Sequence, residues 1–98
     1  MPLVSRSPQE PPLTESLLEF PTQFPIKIMG RHADDFAQAI VEIVQRHAPD
    51  FDAATLEMRV SREGNYLSLT ATINATSREQ LDELYRELTA SPRVSIVL

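Results

Sequence analysis

The residues of this chain able to do chemistry are few and lie far apart. Gly30-Arg31-His32 forms one group. A glycine, a guanidinium and an imidazole just ahead of a helix can hold an anion. Backbone N–H groups at a helix N-terminus favour negative charge, and arginine adds a two-pronged donor. Asp34 and Asp35 follow at once and occupy the same positive helix end themselves. The expectation is a capped helix start, with a ligand loop at Gly30, Arg31 and His32 as the alternative. His32 and His47 are the two histidines. With one helix between them they stand roughly 20 Å apart, too far to share a metal. His47, in the last turn, suits the negative end of the helix dipole. Glu79 with Glu83, and Asp82 with Arg86, sit at helical spacing on one face. Nothing apolar surrounds them to raise a carboxyl pKa for acid–base work, so they read as a solvated face. The absence of cysteine excludes thiolate catalysis, disulfides, Fe–S clusters and cysteine zinc sites. No catalytic residue, metal or cofactor is expected.

As for bulk properties, 98 residues make one domain at most. Nine basic and fourteen acidic residues give a net charge of −5. That argues against nucleic acid as the main partner, because affinity for it comes mostly from neutralising phosphates. No apolar run approaches the ~20 residues of a membrane span, and no signal-peptide pattern opens the chain. Without cysteines a reducing compartment fits. Pro2, Pro8, Pro11 and Pro12 crowd the first residues among polar neighbours. Residues 1–16 therefore read as a disordered tail, and residues 17–98 as a single domain. Leu17, Leu18 and Phe20, just before Pro21, make a small apolar cluster expected to pack on the domain edge.

The elements that must position these groups follow from periodicity. Pro25 to Met29 alternates and stops at Gly30, a short strand whose proline suits its first position. From Asp34 to His47, Phe36, Ala37, Ile40, Val41, Ile43, Val44 and Ala48 are read as one helical face that Pro49 ends. Ala54, Leu56, Met58 and Val60 alternate with polar residues, and so do Leu67, Leu69, Ala71, Ile73 and Ala75. Each reads as a half-buried strand. A loop at Glu63-Gly64 pairs Val60 with Leu67, whereas one at Gly64-Asn65 pairs it with Leu69. Both registers match apolar with apolar. Thr76 with Glu79, or Ser77 with Gln80, fits a capping box for a second helix striped by Leu81, Leu84, Tyr85 and Leu88. Arg93 to Leu98 reads as a last strand. The order β-α-β-β-α-β makes the fold class α+β, a ferredoxin-like sandwich with a four-stranded antiparallel sheet and two helices on one face. Acylphosphatases share such a fold, but they need a glycine-rich phosphate loop. Here the loop has one glycine and Asn74 stands alone.

Several segments recur together in one known family: Leu18-Glu19-Phe20-Pro21, Lys27 with Met29-Gly30, Val44 to Asp50, Gly64-Asn65-Tyr66, Ile73 to Thr76, Glu79-Gln80, Leu84-Tyr85 and Val97-Leu98. On these the chain resembles the YbeD-like family of small bacterial proteins over about residues 17–98. The resemblance implies a fold similar to ACT regulatory domains, whose ligand site involves the loop after the first strand. It also implies a cytoplasmic setting near lipoate-transfer genes, and nothing in the residues themselves encodes that link. It supplies no catalytic residues.

The outward sheet face displays Tyr66, Thr70 and Thr72 with their polar neighbours, a secondary surface for a protein partner. RNA-recognition domains use this face, but one tyrosine on the hairpin is a poor stacking platform. In this topology the second and fourth strands are the edges. The second shows Glu57 and Arg59, charges that discourage stray pairing. The fourth, with Val94, Ile96, Val97 and Leu98, has no charge after Arg93 and invites a cover or a partner strand. The Leu17–Phe20 segment is one candidate cover, a second subunit another. The expected function is thus a non-enzymatic regulatory or interaction module using this edge, with an ACT-like small-molecule sensor as the alternative.

Overall fold

The computed structural model describes residues 19–98. The expected tail at 1–16, and Leu17 and Leu18, lie outside the described residues. The elements in chain order are β1 (Thr22–Arg31), α1 (Phe36–His47), a 3-10 turn (Ala53–Thr55), β2 (Glu57–Val60), β3 (Tyr66–Ala75), α2 (Arg78–Ala90) and β4 (Val94–Val97). The sheet runs β2-β3-β1-β4, and every neighbouring pair is antiparallel. This is the ferredoxin-like sandwich that the periodicity predicts, with β2 and β4 at the edges.

Alternation on the two central strands builds the core. Ile26 and Ile28 of β1, and Leu67, Leu69, Ala71, Ile73 and Ala75 of β3, are buried on one face. Phe36, Ile40, Ile43 and Val44 of α1 and Leu81, Leu84 and Leu88 of α2 lie over them. No polar or charged residue among those described is buried, and no buried side-chain polar atom lacks a partner. Phe20 packs on this core from outside.

β1 is longer than predicted, Thr22 to Arg31 against Pro25 to Met29. It pairs with β3 along its whole length, from Thr22↔Ala75 to Arg31↔Tyr66. Pro25 is tolerated inside it for a geometric reason. Lys27 exchanges both backbone hydrogen bonds with Leu98, so β1 residues two apart from Lys27 face the β4 side. Pro25 therefore turns its donor-less nitrogen to a stretch that β4 does not reach.

The start of α1 also differs from expectation. Asp35 is the N-cap residue, yet its side chain makes no capping bond. Its carboxylate instead receives both arms of Arg93, at 2.8 Å each. A charge-assisted fork outcompetes a single cap bond. At α2 the capping prediction holds: Ser77 Oγ accepts from Gln80 N–H at 3.1 Å, and Gln80 Oε1 accepts from Thr76 N–H at 2.7 Å.

β2 is shorter than predicted. Ala53–Thr55 winds into a 3-10 turn because Asp52 Oδ1 accepts from Ala54 N–H at 2.9 Å. Only Leu56 of its apolar set packs on the core. Met58 and Val60 are 60% and 48% exposed. They sit opposite buried Leu69 and Leu67, hence on the helix side, but at the edge, beyond what the helices cover. The observed register, Val60↔Leu67, selects the Glu63-Gly64 loop. Gly64 takes φ +82°, a conformation that glycine adopts without strain.

Candidate functional site: the open sheet face and the β4 edge

Gly30, Arg31 and His32 do not form a separate loop. Gly30 and Arg31 belong to β1, and His32 follows directly. Gly30 is there for packing: a Cβ would lie 2.2 Å from the Arg93 carbonyl oxygen and 2.8 Å from the Phe36 ring. Phe36 fills the space beneath the strand, and the chain entering β4 crosses close by. His32 is tied to the β2–β3 turn. Its N–H donates to Asn65 O at 2.9 Å, and its Nδ1 lies 3.0 Å from Gly64 O. A carbonyl only accepts, so Nδ1 is the donor in this contact. Arg31 turns to the open face, where its guanidinium sits 5.9 Å from the Tyr66 ring centroid, within cation–π range. The structure thus joins Arg31 to Tyr66, two residues that the sequence assigns to different candidate surfaces.

The register lays out the open face in rows. One row is Ile96, Met29, Ser68 and Arg59; the next is Leu98, Lys27, Thr70 and Glu57. Arg31 and Tyr66 follow on one side, Pro25 and Thr72 on the other. Short Ser68 and Thr70 lie on β3 between long side chains on β1 and β2. A trough results, with two adjoining hollows of about 350 and 230 Å³ that share Lys27, Arg59 and Ser68.

Charge divides between the two sides of the molecule. Lys27, Arg31, Arg59 and Arg62 gather on or beside the open face, and none forms an ion pair among the described residues. Glu42, Glu79, Asp82, Glu83 and Glu87 lie on the helices. Asp82, read from the sequence as part of a solvated face, lies 3.7 Å from Arg78. Sequence reasoning missed Glu87, which joins the helices by accepting from Arg46 and by contacting His47 Nε2 at 2.7 Å. Hydrogen bonds from Arg46, then His47, hold the Glu87 carboxyl below its ordinary range. Among the described residues no group of three or more His, Asp or Glu is placed to hold a metal.

On β4, Val94 and Val97 pack against the core, whereas Ile96 and Leu98 are 48% and 66% exposed on the open face. Because Lys27 and Leu98 exchange both backbone bonds, the Val97 N–H and C=O point to the free side. Val97 thus offers backbone, not side chain, to a neighbour. A bulge at Ser95 interrupts the ladder between Met29↔Ile96 and Gly30↔Val94. The pairable rail is therefore Ile96 to Leu98.

A four-stranded antiparallel sheet, sealed by helices on one face and open on the other, defines a ferredoxin-like domain. Solved structures with this shape include the ACT domain of a GTP pyrophosphokinase from Chlorobium tepidum, with a TM-score of 0.61 and 16% identity, covering 79% of this chain and 83% of that one. Another is protein HP0495 from H. pylori, with a TM-score of 0.65 and 17% identity over 100% and 94% of the two chains. At these identities the likeness is one of fold. The chain itself belongs to the DUF493 family, proteins of unknown function, which matches residues 15–98. Its relatives include the UPF0250 protein RSc0326 of Ralstonia nicotianae, 56% identical over 94% of each chain. The UPF0250 protein of Leptothrix cholodnii is 54% identical over 92% of this chain and 99% of its own. The YbeD-like resemblance points to this same family. Among the described residues no helix is long and apolar enough to cross a membrane.

Proposed function

We propose that this protein is a small non-catalytic regulatory module that works by binding a protein chain, either a partner or a second copy, at the β4 edge. The observation that carries the reading is the free rail at Ile96–Leu98, whose backbone groups at Val97 face outward beside exposed Ile96 and Leu98. Magnitudes set the extent of the contact. Two added backbone hydrogen bonds contribute about 1 kcal/mol each. Completing the burial of two half-exposed apolar side chains adds roughly 1–2 kcal/mol each. Association costs about 4–15 kcal/mol. The rail alone therefore does not hold a stable complex, and the partner must also cover part of the open face beside Met29.

The test compares the full chain with I96E/L98E in sedimentation equilibrium and as bait in affinity capture. Both side chains are exposed, so the variant keeps its fold. A self-complex, or a stoichiometric captured protein, that the variant loses supports the edge. Unchanged association in the variant removes it.

A second reading, a small-molecule sensor of ACT kind at Gly30, Arg31 and His32, draws on Arg31, a cation with no carboxylate partner among the described residues. Gly30 contributes no hollow, since Phe36 and Arg93 already fill its surroundings. A thermal-shift panel of amino acids and lipoate-related acids tests it. Ligand at 100 times Kd adds about 2.7 kcal/mol of apparent stability, and a flat panel sinks the idea.

A further inference from the structure

We propose that the trough along β3 on the open face binds an extended acidic segment of another protein. The proposal rests on the reading that the chain works by binding protein, but not on the β4 rail. Three observations carry it. First, the charge is inverted locally: a chain of net charge −5 lines one groove with Lys27, Arg59 and Arg62 and places Arg31 opposite Tyr66 beside it, none with a carboxylate partner among the described residues. Unpaired cations concentrated at one groove favour an anionic partner through complementarity and faster encounter. Second, the trough has walls and a donor floor. Lys27 stands on one wall and Arg59 on the other, with the hydroxyls of Ser68 and Thr70 between them. Third, its repeat fits a peptide. Successive rows on β3 are two residues apart, about 6.8 Å, which is also the spacing of alternate side chains in an extended chain.

The charges also set direction. Glu57 faces Thr70 at one end of the trough, and Arg31, Tyr66 and Arg62 lie toward the other. The acidic end of the segment therefore lies toward the β2–β3 turn. A small anion fits poorly, because the trough is open and shallow and would leave it largely hydrated. Single-stranded nucleic acid also fits poorly. It needs aromatic faces for its bases, and among the described residues Tyr66 is the one aromatic side chain lining the trough.

The test uses the isotope-labelled full chain and a short peptide alternating Glu with Val and Ser. A Lys-for-Glu peptide and a short oligo(U) at the same salt serve as comparisons. The expected result is amide shifts at Met29, Arg59, Ser68 and Thr70, binding weakened about tenfold or more in K27Q/R59Q, and no change in R86Q, a cation on α2. Tenfold corresponds to about 1.4 kcal/mol, in the range of two charge-assisted contacts. Lys27 and Arg59 are exposed, so K27Q/R59Q keeps its fold. I96E/L98E is expected to bind the peptide like the parent, which separates failure of the trough from failure of the β4 edge. No shifts, shifts confined to the helices, equal binding by K27Q/R59Q, or tighter binding of oligo(U) than of the peptide overturns the proposal.

Discussion

The two edges of the sheet meet the same problem, a row of unpaired backbone groups, in different ways. β2 is held from one side only, by its hairpin with β3, and all four of its residues are exposed. Its apolar pair, Met58 and Val60, faces the helix side, while charged Glu57 and Arg59 face the open side. β4 is fastened at both ends. Arg93, just before it, forks onto Asp35 at the start of α1. At its far end Leu98 bonds Lys27, and its carbonyl accepts from the Tyr85 hydroxyl at 3.3 Å. α2 packs along it. Yet its open-face side chains are apolar. An edge pinned at both ends, with an outer rail left unpaired among the described residues, has little freedom left to lose on pairing. An edge hung from one hairpin is a boundary. Exposed apolar area alone does not separate the two; how each strand is held does.

Substitutions at the two glycines break this comparison most sharply. G30A strikes the junction with β4, where a Cβ would meet backbone 2.2 Å away. Urea unfolding is expected to show a loss of about 3 kcal/mol or more. G64A, at the β2 end, meets open space but an unfavourable φ, and a loss nearer to about 1 kcal/mol is expected. Charges placed on the edges come next. I96E/L98E should lower association about tenfold or more, whereas M58E/V60E should leave it unchanged in the same sedimentation runs. Each pair should move stability by no more than about 0.5 kcal/mol.

Acid sharpens the comparison further. The side-chain hydrogen bond from Arg93 holds the Asp35 carboxyl below its ordinary pKa. The fork therefore stabilises fully above the ordinary aspartate range, and its contribution is lost as pH falls through the lowered value. Amide exchange at Val94 is expected to quicken over that window before exchange at Arg59, whose N–H faces β3, does. The smallest effect is expected from Y85F. Removing the hydroxyl that bonds Leu98 should cost about 0.5–1 kcal/mol in thermal unfolding, with faster exchange at Leu98, whose N–H donates to Lys27, and none at β2.

Much of this was legible in the residues. β3 alternates without error, α2 carries its stripe and capping pair, and the element order leads to the fold. The misses share a cause: sequence periodicity shows which way a side chain points, not what lies there. Met58 and Val60 point to the helix side, where no helix reaches them. Val97 looks like an edge residue because β4 is an edge, but its side chain points inward and only its backbone is offered. Asp35 looks like a cap because nothing local reveals Arg93, far along the chain. The trough was equally hidden. Ser68 and Thr70 become a floor only when β1 and β2 stand beside them, and Arg31 meets Tyr66 only through that pairing.

The central place of β1 carries a consequence for how the chain assembles. Both its neighbours, β3 and β4, lie downstream, and even its nearest pairing, Arg31↔Tyr66, spans the whole of α1 and β2. The β2–β3 hairpin, by contrast, closes locally across one turn. Loop-closure entropy makes distant pairings slow. On a ribosome β1 therefore emerges first among the strands and waits, unpaired, until β3 has left the exit tunnel. Among the four strands of the sheet, β4 with its rail at Ile96–Leu98 comes last in chain order. A partner that reads it thereby senses that the sheet beneath is complete.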